Sequence, residues 1–208
     1  MSILALLPCS LAHAEPLRVL AFGDSLTAGF MLPANAAFPA QLERRLRADG
    51  FEATVVNAGV SGETTAGGLA RAAFALGDGA DLVILELGAN DMLRGVDPKL
   101  TSANLDRIVT EIEARKAAVL LAGMVASGNF GPDYKVRFDA VFPELAARRG
   151  LPLYRFFLSG VAGDKALVLP DGLHPNADGV ARIVTGIAPL VEENLARLNT
   201  AREQHAPH

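Results

Sequence analysis

The 208-residue sequence predicts an α/β protein, a doubly wound parallel sheet with helices on both faces. Three observations carry this. Apolar strand-like runs alternate with amphipathic helical stretches through the body of the chain. The run Asp81-Leu82-Val83-Ile84-Leu85-Glu86-Leu87 is apolar at successive positions, as a central parallel strand covered on both faces requires. No internal repeat, low-complexity tract or linker breaks the alternation, so one domain over 15–199 is expected.

The elements follow in order. Residues 3–14 are short and apolar and end in Ala12-His13-Ala14, a cleavage pattern ahead of Glu15. A signal peptide over 1–14 and a periplasmic or secreted protein are expected, although Met1-Ser2 supplies no basic residue. A bilayer needs about 20 apolar residues, so this run predicts no stable membrane anchor. Pro8 before Cys9 speaks against lipid attachment there, and cleavage would remove the only cysteine. Leu17-Arg18-Val19-Leu20-Ala21-Phe22 reads as the first strand, and Phe38, Leu42 and Leu46 share one helix face. Val55-Val56 closes a second strand at Asn57, and 81–87 is the third. Asp97-Pro98 starts a helix with Leu105, Ile108 and Ile112 on one face. Residues 117–122 form a fourth strand, Val141 and Leu145 mark another helix, and Pro152-Leu153-Tyr154 opens a short fifth strand. The last helix carries a wide stripe of Val180, Ile183, Val184, Ile187, Leu190, Val191, Leu195 and Leu198. The polar tail 200–208 is expected to fray.

Net charge is −4 with no cluster of lysine or arginine, which speaks against a nucleic-acid partner. In a doubly wound sheet, ligands bind beyond the C-terminal ends of the strands. There the first strand runs into Gly23-Asp24-Ser25-Leu26-Thr27-Ala28-Gly29. This is either a seat for a reactive serine or an ordinary turn, since Gly, Asp and Ser serve both. The histidines favour the first reading. Of four, His13 lies in the predicted signal peptide and His205 and His208 in the tail, leaving His174 as the one general base of its kind in the body. Asp171 precedes it by three residues, within reach of the imidazole, while Gly172 permits a tight path. Pro175 biases His174 away from helical geometry. The competing reading is an Asp helix cap beside a surface histidine.

Acyl chemistry on a serine also needs donors for an oxyanion. The loop 57–64 offers exposed backbone N–H groups, and Asn90 in Gly88-Ala89-Asn90-Asp91 offers a side-chain amide. Either loop alone is a turn as readily as a site; their position at neighbouring strand ends favours a site. Asp24 adjoins Ser25, but adjacent side chains diverge, so it is expected to brace the turn, and Asp91 to fix its own loop. Glu86, a carboxylate in an apolar strand, is either paired near the site or at a solvated edge. No metal site is expected, because one body histidine and no cysteine leave only carboxylates as ligands. Met92, Leu93, Val125, Phe130 and Leu173 suggest an apolar groove, or else core packing.

Four ordered blocks, Gly-Asp-Ser-Leu at 23–26, Asn-Ala-Gly-Val-Ser-Gly at 57–62, Gly-Ala-Asn-Asp at 88–91 and Asp-Gly-Leu-His-Pro at 171–175, resemble the SGNH hydrolases, the GDSL-type esterases and lipases. The run 87–95, Leu-Gly-Ala-Asn-Asp-Met-Leu-Arg-Gly, is similar to that of the bacterial periplasmic acyl-thioesterase/lysophospholipase and arylesterase group. The resemblance implies a flavodoxin-like three-layer α/β/α sandwich on a five-stranded parallel sheet, with no cofactor. It implies Ser25 as nucleophile, His174 as base and Asp171 as its orienting acid. The implied oxyanion donors are the Ser25 and Gly62 N–H groups and the Asn90 side chain. The expected substrate is a small-molecule acyl or aryl ester, extending to thioesters such as acyl-CoA and to lysophospholipid. A carbohydrate O-acetylesterase is the second reading; the absence of tryptophan and the 6% aromatic content count against it. A catalytically silent binding protein on the same fold is the third, and it should have lost a member of the set. The sequence leaves the oligomeric state open.

Overall fold

The computed structural model describes residues 15–77 and 79–204; the expected signal peptide lies outside the described residues. Five strands, β1 (Leu17–Gly23), β2 (Ala53–Gly59), β3 (Leu82–Glu86), β4 (Ala118–Ala122) and β5 (Leu153–Tyr154), form one sheet in the order β2-β1-β3-β4-β5. Every neighbouring pair is parallel. The longer helices are α2 (Phe38–Ala48), α3 (Thr65–Ala75), α5 (Pro98–Glu113), α6 (Gly131–Arg149) and α7 (Ala177–Gln204), with single-turn helices α1 (Ser25–Ala28) and α4 (Ala89–Leu93) at strand ends. Helices α2 and α7 pack together, as do α3, α5 and α6, so helices cover both faces of the sheet. The doubly wound parallel sheet expected from the alternation is what forms.

Burial follows the sequence pattern. All five residues of β3 are buried, which is why that run carries no polar alternation. The α2 face formed by Phe38, Leu42 and Leu46 is sealed against the core. Helix α5 starts where Asp97 accepts a hydrogen bond from the Lys99 N–H and Pro98 occupies the first turn. Two expectations need correction. Helix α7 runs on through the polar residues to Gln204 instead of fraying at Thr200. Arg202 holds it there by pairing with Asp81 and donating to the Glu15 carbonyl. Helix α3 was not expected, because Thr-Ala-Gly-Gly-Leu-Ala-Arg-Ala-Ala-Phe-Ala lacks a clear apolar stripe and its one aromatic, Phe74, points into solvent. Its seat on the sheet is made instead by Gly68, where a Cβ would come within 2.4 Å of Leu87 Cδ1.

The chain order reverses direction between β1 and β3, and the crevice at such a point is where doubly wound sheets bind ligands. Ser25 follows β1 and Asn90 follows β3, so both stand at that crevice.

Candidate active site

The turn after β1 is set by close packing from below. A Cβ on Gly23 would lie 2.1 Å from Thr27 Oγ1 and 2.6 Å from Glu86 Oε2, so only glycine fits there. Asp24 Oδ1 caps α1 by accepting from the Leu26 N–H at 2.9 Å. Gly29 closes the turn in the left-handed region, with φ 82°. As the first residue of α1, Ser25 has an N–H with no partner inside the helix. On the flank, Gly59 lets β2 approach: a Cβ there would meet the Ala28 N at 2.3 Å and the Asp24 carbonyl at 2.8 Å.

His174 reaches Ser25 from 149 residues away in sequence, with Nε2 2.9 Å from Ser25 Oγ. Its Nδ1 lies 2.6 Å from Asp171 Oδ2. The loop that holds them is internally bonded: Asp171 Oδ1 accepts from the Leu173 and His174 N–H groups, and the Leu169 N–H donates to the His174 carbonyl at 2.8 Å. Gly172, with φ 71°, makes the required left-handed step. Those two backbone N–H donors, helped by the imidazole, pull the Asp171 carboxyl down to about 2. It is therefore ionised at neutral pH and accepts the Nδ1 proton, which leaves Nε2 free to accept from the Ser25 hydroxyl. The Phe30 ring covers the imidazole, with centroids 4.4 Å apart. Such an arrangement can take a proton from the serine as it attacks a carbonyl.

Asn90 donates from Nδ2 to Asp24 Oδ2 at 3.0 Å, which fixes the amide beside the serine turn. Gly62, at φ 80°, lines the same cavity, and its N–H donates to no acceptor among the described residues. Asp91 faces away from the serine: it accepts from the Thr65 N–H at 2.8 Å, the Thr65 hydroxyl at 2.6 Å and the Thr101 hydroxyl at 3.3 Å. It thereby ties α4 to α3 and α5.

Glu86 lies buried at the end of β3, beneath the serine turn rather than at a solvated edge. Its Oε2 accepts from the Thr27 hydroxyl at 2.8 Å and the Asp24 N–H at 3.4 Å. Its Oε1 has no hydrogen-bond partner among the described residues. Desolvation, reinforced by the neighbouring Asp24 charge, holds this carboxyl well above the usual range. Burial also lifts Asp24 to about 6, against the pull of the Leu26 N–H and the Asn90 amide.

Ser25 and His174 open onto a cavity of about 520 Å³. Met92, Leu93, Val125 and Leu173 line it, together with Leu26, Phe30, Met124, Phe156 and Leu158, which the sequence did not single out for a groove. In the sequence, Phe156 is marked only by following the short fifth strand, and Phe30 by following the glycine that ends the serine turn. Phe130 does not line the cavity. Its ring lies against Gly95, where a Cβ would be 2.8 Å away, and beside Tyr134 at a centroid distance of 5.2 Å. Sequence reasoning also passed over Glu63 and Arg71, which pair beside Gly62.

Known proteins resemble this chain in sequence and in fold. Residues 21–182 match the GDSL-like Lipase/Acylhydrolase family. Esterase TesA of Pseudomonas aeruginosa is 37% identical over 181 residues, spanning 86% of this chain and 90% of that protein. Thioesterase 1/protease 1/lysophospholipase L1 of Escherichia coli K12 is 37% identical over 196 residues, 92% of each. The crystal structure of AlinE4, an SGNH-hydrolase family esterase, superposes with a TM-score of 0.74 at 43% identity, covering 88% of this chain and 98% of that one. With the family matched across most of its length and the same three-layer architecture, this chain belongs to the GDSL-like lipase/acylhydrolase family and is a carboxylic ester hydrolase.

Proposed function

We propose that this chain hydrolyses small acyl and aryl esters, thioesters included, through an acyl-enzyme on Ser25. His174 takes the Ser25 proton as Oγ attacks the carbonyl, then delivers it to the leaving group. Asp171 holds the imidazole tautomer and balances the imidazolium charge. The oxyanion is received by the Ser25 and Gly62 N–H groups and the Asn90 amide. Water repeats the cycle on the acyl-enzyme and releases the acid.

The relay from Asp171 through His174 to Ser25, at 2.6 and 2.9 Å, is the observation that carries this reading. The cavity at its end supports an apolar acyl or aryl group over a sugar, being walled by Leu26, Met92, Met124, Phe156 and Leu158. Lysophospholipid and acyl-CoA fall within the proposal because each presents an acyl chain with a polar leaving group. A carbohydrate O-acetylesterase would want tryptophan or tyrosine platforms, and the only rings of that size among the described residues of this wall are the phenylalanines Phe30 and Phe156; a silent binding protein would not need the intact relay. One hydrolase unit over 15–199, exported by a signal at 1–14, completes the proposal. Among the described residues, no helix is long and apolar enough to cross a membrane.

The test is a panel of nitrophenyl esters of graded acyl length, acyl-CoA, lysophospholipid and acetylated sugars, with Ser25→Ala as control. The expected result is turnover of the acyl and aryl esters, covalent labelling of wild type by a fluorophosphonate, and loss of both in Ser25→Ala. Preferential hydrolysis of acetylated sugars would move the assignment to the carbohydrate esterases. Absence of labelling in wild type would return it to a binding protein.

A further inference from the structure

Arg71, on the helix absent from the sequence reading, makes five hydrogen bonds, to Gly23, Ala58 and Glu63. Its Nη2 donates to the Gly23 carbonyl at 3.2 Å and to the Ala58 carbonyl at 2.9 Å, the C-terminal ends of β1 and β2. Its Nε donates to Glu63 Oε1 at 2.8 Å and Oε2 at 2.7 Å, and Nη2 also meets Oε2. The guanidinium carbon stands 4.2 Å from the centre of the Phe22 ring. The Glu63 side chain is only 8% exposed and that of Arg71 22%, so the pair is largely withdrawn from water.

Glu63 is the residue after Gly62. We propose that Arg71 is the positioning residue of the oxyanion site: by locking Glu63 to the ends of β1 and β2, it fixes the Gly62 N–H relative to Ser25. The inference rests on the oxyanion role assigned to Gly62 above. Glycine at φ 80° has wide conformational freedom, and nothing lies within 4 Å of where its Cβ would be, so packing does not hold it. The loop is restrained by bonds instead. Arg94 Nη2 takes the Gly62 carbonyl at 2.9 Å from the exposed side. The Val60 N–H donates to the Gly23 carbonyl at 3.0 Å, and the Glu63 N–H to the Val60 carbonyl at 3.2 Å. Among the described residues, Arg71 is the one side chain that hydrogen-bonds the loop and the carbonyls at both strand ends. A planar guanidinium can serve two carbonyls and a carboxylate at once; a lysine ammonium, a point charge on a flexible stem, cannot hold that fork.

Preorganised donors act on the transition state more than on the bound substrate, so their displacement lowers kcat and leaves KM nearly alone. The experiment compares wild type, Arg71→Lys and Glu63→Gln with a nitrophenyl ester. It also measures inhibition by an alkyl boronic acid, which forms a tetrahedral adduct on serine, and by the fatty acid of matching length. For Arg71→Lys the expected result is a fall in kcat of about 10- to 100-fold, below the roughly 100- to 1,000-fold of losing a donor outright. KM should stay within about threefold, boronic-acid affinity should fall with kcat, and fatty-acid affinity should hold. Glu63→Gln keeps an acceptor for Arg71 and should lose less than Arg71→Lys in the same pattern. If Arg71→Lys fails to fold, Glu63→Gln carries the test. Unchanged kcat, or a parallel rise in KM and loss of fatty-acid binding, would overturn the inference. Ser25→Ala and Asn90→Ala run alongside separate the two levels: if they remain active, the site assignment itself has failed; if they are inactive while Arg71→Lys turns over normally, only the Arg71 role has.

Discussion

At the scale of the residue, the site divides into groups that face the cavity and groups that hold them. Ser25, His174, Asn90 and Gly62 face it; Asp24, Glu86 and Asp171 stand behind. Asn90 is in both sets, since one amide N–H is spent on Asp24 and the other is left for the oxyanion of the proposed mechanism. Asn90→Ala should therefore lower kcat by about 100- to 1,000-fold with the fold retained. Steady-state kinetics beside a thermal melt checks this, and near-wild-type turnover would remove Asn90 from the oxyanion site. Most of this was legible in the sequence because the residue types are chemically distinctive: one body histidine and one aspartate three positions away leave few pairings. Glu86 was not resolved that way, because an acid in an apolar run reads the same at a solvated edge as beneath a turn. Phe130 and Phe156 could not be sorted either, since which phenylalanine meets the cavity depends on loop paths that no periodicity encodes.

At the scale of the element, the strands and long amphipathic helices announced themselves through periodic burial, and α3 did not. Its fit depends on small residues that allow close approach, and close approach leaves no hydrophobic signature. The same physics operates at the strand ends, where glycines differ in what a methyl group would strike. Gly59→Ala would drive Cβ into backbone atoms of α1 at 2.3 and 2.7 Å, which cannot yield without moving the serine turn. Gly150 ends α6 at φ 67° with open space around it. Gly150→Ala should cost about 1 kcal/mol of left-handed strain. Gly59→Ala should cost at least about twice that and reduce activity as well. Urea unfolding of both variants, with activity measured in parallel, decides it; equal losses would mean that β2 and α1 can separate freely.

At the scale of the whole molecule, two buried carboxyls beneath the serine turn link stability to pH. Asp24, at about 6, and Glu86, held well above the usual range, both bind protons more tightly folded than unfolded. Their contribution is therefore complete below the ordinary carboxylate value of about 4 and is lost as pH rises through the folded values. Glu86→Gln removes one of the two dependences. Thermal melts at pH 4.5, 6 and 8 should show the variant gaining on wild type as pH rises; a constant offset would mean that Glu86 does not titrate with folding. The sequence by itself determined the alternation of strands and helices, the serine after the first strand, the histidine with its aspartate, and the two loops at neighbouring strand ends. These are properties of short segments, carried by burial period and side-chain chemistry. Only the tertiary structure decided that Glu86 lies under Ser25, that α3 exists and brings Arg71 to the strand ends, and which apolar side chains line the cavity. Each of those depends on contacts between segments far apart in the chain, where packing and desolvation, not local pattern, choose the outcome.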